Sequence, residues 1–106
     1  MNRNDRSQDT SSLTMDVDFD DAHEMSAKAA LAHKLNELID LRGLSQVEAA
    51  AITGMTQPKV SQVRRNKLQN ISLERLMQAL VSLDQHVEIV VLPARRPLAR
   101  GITVAA

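Results

Sequence analysis

SQVEAAAITGMTQPKVSQVRRNK, residues 45–67, decides the fold of this chain, because it predicts two short helices joined by a tight turn. Ser45 and Glu48 form the S-x-x-E pattern of a capping box at the start of the first helix. Gly54 is predicted to end that helix, since glycine enters a left-handed turn without steric cost. The first helix is therefore short and bounded on both sides.

The second helix of this stretch is predicted to begin after Thr56, which can cap it, and Pro58 falls in its first turn, where a missing N–H does no harm. Val60 and Val63 are its predicted buried positions. Two helices crossing at about 90–120° around such a turn form a helix-turn-helix, whose second helix can enter a DNA major groove. The side chains left facing outward are Gln57, Lys59, Ser61, Gln62, Arg64 and Arg65.

These outward side chains have the chemistry that duplex DNA recognises. Glutamine, lysine and serine can bond base edges, whereas cationic side chains at the end of a helix are better placed for phosphates. Residues 49–73 contain four basic side chains and no acidic one. The alternative interpretation is a helical packing unit with a solvated basic face. The predicted base-reading residues are Gln57, Lys59, Ser61 and Gln62, and the predicted phosphate-binding residues are Gln46, Thr56, Arg64, Arg65, Asn66 and Lys67.

Residues 45–66 resemble the helix-turn-helix of the phage-repressor-like XRE (Cro/C1-type) regulators. The longer stretch KAALAHKLNELIDLRGLSQVEAAAITGMTQPKVSQVRRNKLQNISLERLMQALVSLDQHVEIVV, residues 28–91, resembles the HigA-type antitoxin branch of that family. The resemblance implies that Gln46 supports the recognition helix and touches phosphate, while Gln57 contacts a base edge. Asn66 stands where relatives often have glycine, so the exit from the recognition helix is expected to differ.

Composition excludes several other classes of protein. The chain of 106 residues is expected to form one domain. A single aromatic residue, Phe19, disfavours a single-stranded nucleic-acid binder, which needs stacking aromatics. The absence of cysteine excludes disulfides and thiol catalysis and fits a reducing cytoplasm. No apolar run is long enough for a membrane span, and the polar N-terminus does not resemble a signal peptide.

Charge is segregated along the chain, although the formal net charge is zero. Residues 1–24 carry seven acidic and two basic side chains, residues 25–92 carry eight basic and six acidic ones, and residues 93–106 carry three arginines. An acidic arm and a basic body suggest two surfaces for two kinds of partner. The alternative is that polar termini only keep a small protein soluble.

The N-terminal 20 residues are predicted to be a disordered acidic arm. Within it, residues 15–19 alternate apolar and acidic side chains, which is consistent with a strand or clamp or with a loop. A helix capped by Asp20 or Asp21 is predicted to run to about Arg42 and to end at Gly43. Its predicted buried stripe is Met25, Ala29, Ala32, Leu35, Leu38 and Ile39, with Lys28, His33, Lys34, Glu37 and Asp40 mainly outside it.

The C-terminal part of the chain predicts one more helix and one strand. Ser72 can cap a helix whose apolar face is Leu73, Leu76, Met77, Leu80 and Leu83. Residues 86–92, HVEIVVL, alternate in the pattern of a strand, and the predicted dimerisation residues are Val87, Ile89 and Val91. A lone strand edge attracts a second chain, so pairing with the same strand of another copy is predicted; the alternative is pairing with residues 15–19.

These features together predict a mainly α protein with a lambda-repressor-like helix-turn-helix domain of four to five helices and one C-terminal β-strand that pairs in a dimer. The predicted division is an arm (1–20), a DNA-binding domain with a dimerisation strand (21–92) and a flexible basic tail (93–106), whose arginines either touch DNA or have no role. No cofactor and no enzymatic activity are predicted. No metal site is predicted either, because His33 and Glu37 have no third ligand nearby.

The predicted function is a cytoplasmic, sequence-specific transcriptional repressor that binds a palindromic double-stranded DNA operator as a homodimer. The resemblance further implies the antitoxin of a HigBA-like pair, with a small, basic, mRNA-cleaving toxin as its protein partner. The acidic segment 16–24 suits such a basic partner. The alternative is a stand-alone XRE-type regulator without a toxin.

Overall fold

Four helices are present in a computed structural model of the protein, which describes residues 10–96 and 100–105, with side chains from residue 22 onward. The helices are α1 (Thr10–Arg42), α2 (Gln46–Thr53), α3 (Gln57–Arg64) and α4 (Leu73–Ser82). α1 packs against α3 and α4, and α2 packs against the same two helices. The short helices α2 and α3 are therefore held by the core as well as by their own caps.

The core lies where the inner faces of the four helices meet. On α1, Ala32, Leu35 and Ile39 of the predicted stripe are buried, and the remaining members of that stripe pack partly buried around them. The largest fully buried side chains are Leu35, Val60, Val63, Leu68, Ile71, Leu76 and Leu83. The helical periodicity thus identified the core-facing side of α1 and of α4.

Lys28 was predicted to lie outside the buried stripe, and this prediction was wrong. Its side chain is only 7% exposed, and its Nζ atom donates a hydrogen bond to the carbonyl oxygen of Leu68 at 3.3 Å. The same ammonium lies 3.6 Å from the carboxylate of Glu24, one turn earlier on α1. A long aliphatic stem allows a lysine to cover apolar surface while its charge reaches a polar partner.

α1 begins at Thr10, about one-third of its length before the start predicted at Asp20 or Asp21. Residues 15–19 belong to this helix, so both the strand and the loop considered for them were wrong. The predicted boundary at residues 20 and 21 therefore falls inside α1, whereas residues 1–9 of the predicted arm lie outside the described residues.

Residues 85–94 follow α4 without helix or strand in the single chain described. Pairing between this stretch and residues 15–19 of the same chain is excluded in this conformation, because the latter are helical. A strand needs a hydrogen-bonded neighbour, and pairing of this stretch with a second copy stays a prediction. Further along, Val104 is partly buried against the core, and the backbone at Gly101 lies directly against the imidazole of His23.

Candidate nucleic-acid interface

The start of α2 is fixed by the capping box predicted from the sequence. The Ser45 hydroxyl accepts a hydrogen bond from the Glu48 backbone N–H at 3.1 Å, and the Ser45 N–H donates to the Glu48 carboxylate at 2.9 Å. Both contacts satisfy backbone N–H groups that the first helical turn leaves unpaired. This places the exposed side chain of Gln46 at the first position of α2.

The turn between α2 and α3 depends on a glycine in the left-handed conformation. Gly54 has φ 77° and ψ 1°, and its N–H donates to the Ala50 carbonyl oxygen at 2.9 Å. The guanidinium of Arg75, on α4, donates to the Thr53 carbonyl oxygen at 3.0 Å. An arginine at a helix C-terminus satisfies an unpaired carbonyl and complements the helix dipole. Arg75 therefore ties the end of α2 to α4, a contact that local sequence patterns did not predict.

α3 is oriented by its cap and by two valines. The Thr56 hydroxyl accepts from the Lys59 N–H at 3.3 Å, and Pro58 occupies the first turn, as predicted. Val60 and Val63 are fully buried. Since successive residues turn by about 100° around a helix, the face opposite these valines contains Pro58, Ser61 and neighbouring positions.

The four residues predicted to contact bases differ in how free their side chains are. Gln57 is exposed, whereas Lys59, Ser61 and Gln62 are partly buried. The Lys59 ammonium donates to the Asn70 carbonyl oxygen at 2.6 Å, on the side of the connection between α3 and α4. Among the described side chains, the Oε1 atom of Gln62 is buried without a hydrogen-bond partner. The four predicted base-reading residues thus lie on one helix but differ in exposure and in the hydrogen bonds they already make.

Of the residues predicted to bind phosphate, Gln46 begins α2 and the others lie at or beside the ends of α3. Gln46, Arg65, Asn66 and Lys67 are exposed, and Thr56 is exposed at the N-cap. Asn66 has φ 58°, a left-handed conformation that asparagine tolerates better than most residues. The chain therefore leaves α3 through a left-handed residue, a conformation that glycine also adopts without steric cost.

Arg64 differs from these exposed residues because its guanidinium faces α1. Its Nη1 atom lies 3.2 Å from the Asn36 carbonyl oxygen and 3.2 Å from Asn36 Oδ1, and its Nη2 atom lies 2.5 Å from Asp40 Oδ1. Asn36 also donates to the Val63 carbonyl oxygen at 3.0 Å. Asn36 and Asp40 were not predicted to take part in the site, because their contact with Arg64 joins residues distant in sequence.

A cleft of about 340 Å³ lies between the N-terminal ends of α3 and α4. Lys59 and Arg75 supply its two charges, and no acidic side chain lines it. The hydroxyls of Thr56 and Ser72 both accept hydrogen bonds from backbone N–H groups as helix caps. The cleft therefore extends the acid-free surface of residues 49–73 toward α4. Its lining consists of Gly54, Met55, Thr56, Lys59, Asn70, Ile71, Ser72 and Arg75.

The three predicted dimerisation residues lie in two different environments. Val87 is partly buried and packs against the core of its own chain. Ile89 and Val91 are 71% and 89% exposed, and the intervening Val90 and the following Leu92 are also exposed. Val87 thus anchors the segment, and the apolar run beyond it is left uncovered in the single chain.

Two further observations concern the described part of the chain as a whole. Within it, no three histidine or acidic side chains come together in a group that could hold a metal ion. None of the helices in residues 10–96 and 100–105 has the combination of length and apolar character needed to cross a membrane.

Comparison with known proteins is consistent with the geometry of α2 and α3. A helix-turn-helix domain family matches residues 13–92, most of the chain. A solved structure that is provisionally named an XRE family transcriptional regulator is 49% identical, with a TM-score of 0.73; the match covers 81% of this chain and 98% of that one. No curated protein matches. The chain therefore belongs to the XRE family of helix-turn-helix transcriptional regulators, whose members are not enzymes.

Proposed function

We propose that this chain is a sequence-specific transcriptional repressor that binds a palindromic operator as a homodimer, with α3 in the major groove. The observation that carries the proposal is the α3 surface itself. A capped helix projects Gln57 and Ser61 from a stretch of 25 residues, 49–73, that has no acidic side chain. Base edges are recognised by such polar side chains, and the adjacent cations hold the backbone.

Gln62 and Lys59 support base contact in different ways. A buried, unpaired amide oxygen costs about 1–3 kcal/mol, so turning the Gln62 side chain outward to a base that offers a donor would relieve that cost. Lys59 uses one of its three N–H donors on the Asn70 carbonyl, which leaves two for a guanine edge. Gln46, Thr56, Arg64, Arg65, Asn66 and Lys67 are assigned to the phosphates.

A selection of binding duplexes from a random pool tests sequence specificity, and two variants test the division of roles. Lys59→Ala should lower operator affinity and relax the preference at one base pair by about 1–3 kcal/mol. Arg65→Ala should weaken all duplexes alike and reduce the salt slope by about 0.9 per recognition helix. Lys34→Ala is the matched control, because it removes a positive charge that is paired with Glu37 on α1. Identical behaviour of the Lys59 and Arg65 variants on all sequences would refute this assignment.

We infer that dimerisation uses the exposed segment 89–92. Ile89 and Val91 share one side of an extended chain, since side chains alternate along a strand, and an uncovered apolar strand edge favours pairing. A two-fold dimer would hold two copies of α3 about 34 Å apart, the spacing of successive major grooves on one face of DNA.

Light scattering of Ile89→Asp and Val91→Asp measures the predicted loss of the dimer. Val81→Asp is the control, because Val81 is an exposed valine on α4, outside the segment. A wild-type monomer at the concentrations that saturate DNA, or a dimer unaffected by both segment variants, would contradict this proposal.

The finer proposal is that the repressor is also the antitoxin of a HigBA-like pair. The supporting observation is the excess of acidic side chains in residues 16–24, which complements a small basic toxin and could shield its catalytic surface. The alternative is a stand-alone regulator. Co-expression of the tagged protein with the small open reading frame beside its gene distinguishes them: an antitoxin retains an untagged basic protein, which arrests growth when expressed alone.

A truncation separates toxin binding from DNA binding. The cut belongs after Asp21, because Glu24 pairs with Lys28 and Met25 packs against the core. The truncated protein should lose the toxin and keep the operator. A full-length variant with asparagine at positions 16, 18 and 20 tests charge without changing chain length. Loss of DNA binding in both proteins would show that the segment serves the fold or the operator instead.

A further inference from the structure

We propose that Asp40 is an internal competitor for Arg64, and that it lowers the affinity of the α3 surface for DNA phosphate. The inference rests on the proposed function and adds two residues of α1, Asn36 and Asp40, to the determinants of affinity. Its basis is the orientation of Arg64. The described contacts of the guanidinium all lead to α1, and its side chain is only 32% exposed.

Asn36 and Asp40 lie one helical turn apart, so both face the C-terminal end of α3. Asn36 has a structural role, because its amide donates to the Val63 carbonyl and its oxygens accept from Arg64 Nη1. Asp40 contacts Arg64 Nη2 at 2.5 Å and is itself 67% exposed. α1 and α3 therefore remain joined through Asn36 when the Asp40 carboxylate is neutralised.

A carboxylate and a phosphate compete for the same N–H groups of a guanidinium, since both accept its paired donors in the same geometry. Arg64 is the last residue of α3, where the chain is expected to leave the groove beside the DNA backbone. A phosphate binding there must displace the Asp40 carboxylate or share the guanidinium with it. The exposed carboxylate would also repel that phosphate. Both effects lower affinity without regard to base sequence.

The test compares Asp40→Asn with Glu37→Gln by measuring binding to the selected operator and to an unrelated duplex at several salt concentrations. Glu37 is the matched control, because it lies on the same helix and pairs with a different cation, Lys34, at 3.4 Å. Each substitution replaces one carboxylate by its amide and changes the net charge equally. Circular dichroism of each variant verifies that the fold is retained.

Asp40→Asn should bind both duplexes about two- to fivefold more tightly per recognition helix, the range expected for one exposed ion pair. The salt slope should become steeper by up to about 0.9 per recognition helix, since one more cation reaches phosphate. Glu37→Gln should show a smaller change on both duplexes. In an Arg64→Ala background, Asp40→Asn should give no more than the change seen for Glu37→Gln.

Three results would overturn the inference. Equal gains in DNA affinity for Asp40→Asn and Glu37→Gln would show a general charge effect. Weaker DNA binding by Asp40→Asn would show that Asp40 orients Arg64 toward DNA. A gain in affinity that persists in the Arg64→Ala background would exclude competition. The proposed function fails separately if the wild-type protein does not distinguish the operator from the unrelated duplex, since Asp40→Asn can still tighten both. Absence of binding to any duplex by both proteins would overturn both proposals.

Discussion

Alanine substitutions at Gly54 and Gly43 form a matched pair that measures how far Arg75 stabilises the turn between α2 and α3. Both glycines have a left-handed backbone, with φ 77° and φ 63°, in which an alanine costs about 1–2 kcal/mol. A Cβ atom at Gly43 meets no other atom within 4 Å, whereas one at Gly54 would lie 3.2 Å from Arg75 Nη2. Alanine at Gly43 therefore measures the backbone cost, and alanine at Gly54 measures that cost plus the disturbance of Arg75.

The additional cost at Gly54 follows from the hydrogen bond that Arg75 makes. Its Nη2 atom donates to the Thr53 carbonyl at 3.0 Å, so moving the guanidinium weakens a bond worth about 1 kcal/mol. We expect Gly54→Ala to lower the free energy of unfolding by about 1 kcal/mol more than Gly43→Ala. For a domain of this size, each kcal/mol lowers Tm by about 4–8 °C.

Urea denaturation followed by far-ultraviolet circular dichroism is the suitable assay, because the chain has neither tryptophan nor tyrosine for intrinsic fluorescence. An unchanged m-value confirms that only stability differs between the variants. Repeating both substitutions in an Arg75→Gln background isolates the contact, since the additional cost at Gly54 should then disappear. Equal midpoints for the two alanine variants would refute the role of Arg75, and no loss in either would refute the backbone argument.

Three other substitutions test the contacts that hold α1 and α3, each measured by the same urea titration. Thr56→Ala should cost about 1 kcal/mol, because it removes the N-cap of α3; wild-type stability would show that the cap is replaced by water. Lys28→Met keeps the buried volume but removes one of the two hydrogen bonds to the Leu68 carbonyl, which still accepts from the Ile71 N–H, at a cost of about 1 kcal/mol; a more stable variant would show that the buried ammonium is a net liability. Leu35→Ala empties a fully buried site and should cost about 2–5 kcal/mol, and a loss below 1 kcal/mol would show that the core collapses around it.

The sequence predicted the helix-turn-helix well because its determinants are local. The capping box at Ser45, the left-handed Gly54 and the caps at Thr56 and Ser72 each depend on residues no more than four positions apart. Such contacts form wherever the chain adopts the local geometry. The stripe on α1 was predictable for a related reason, since a helical period points one side of the helix at the core.

Lys28 and Arg64 show what local patterns could not predict. Both are cations that the sequence placed on the surface, and both find partners on other helices or connections: Leu68 for the first, Asn36 and Asp40 for the second. None of these three partners is recognisable until the helices are packed. The start of α1 was misplaced for a different reason, because an alternating pattern of apolar and acidic residues gave way to a continuous helix.

Short helices make DNA recognition by this chain depend on its tertiary contacts. α3 has eight residues, and an isolated helix of that length is not stable in water. Its valines, its cap and the Asn36 bridge therefore supply the order that its own backbone lacks. If α3 binds DNA as proposed, a contact that fixes this helix can also occupy a cation that would otherwise bind phosphate. Arg64 is such a cation, because its guanidinium joins α3 to α1 through Asn36 and Asp40. Stability and affinity are then set partly by the same residues, and a substitution in α1 can change one at the expense of the other.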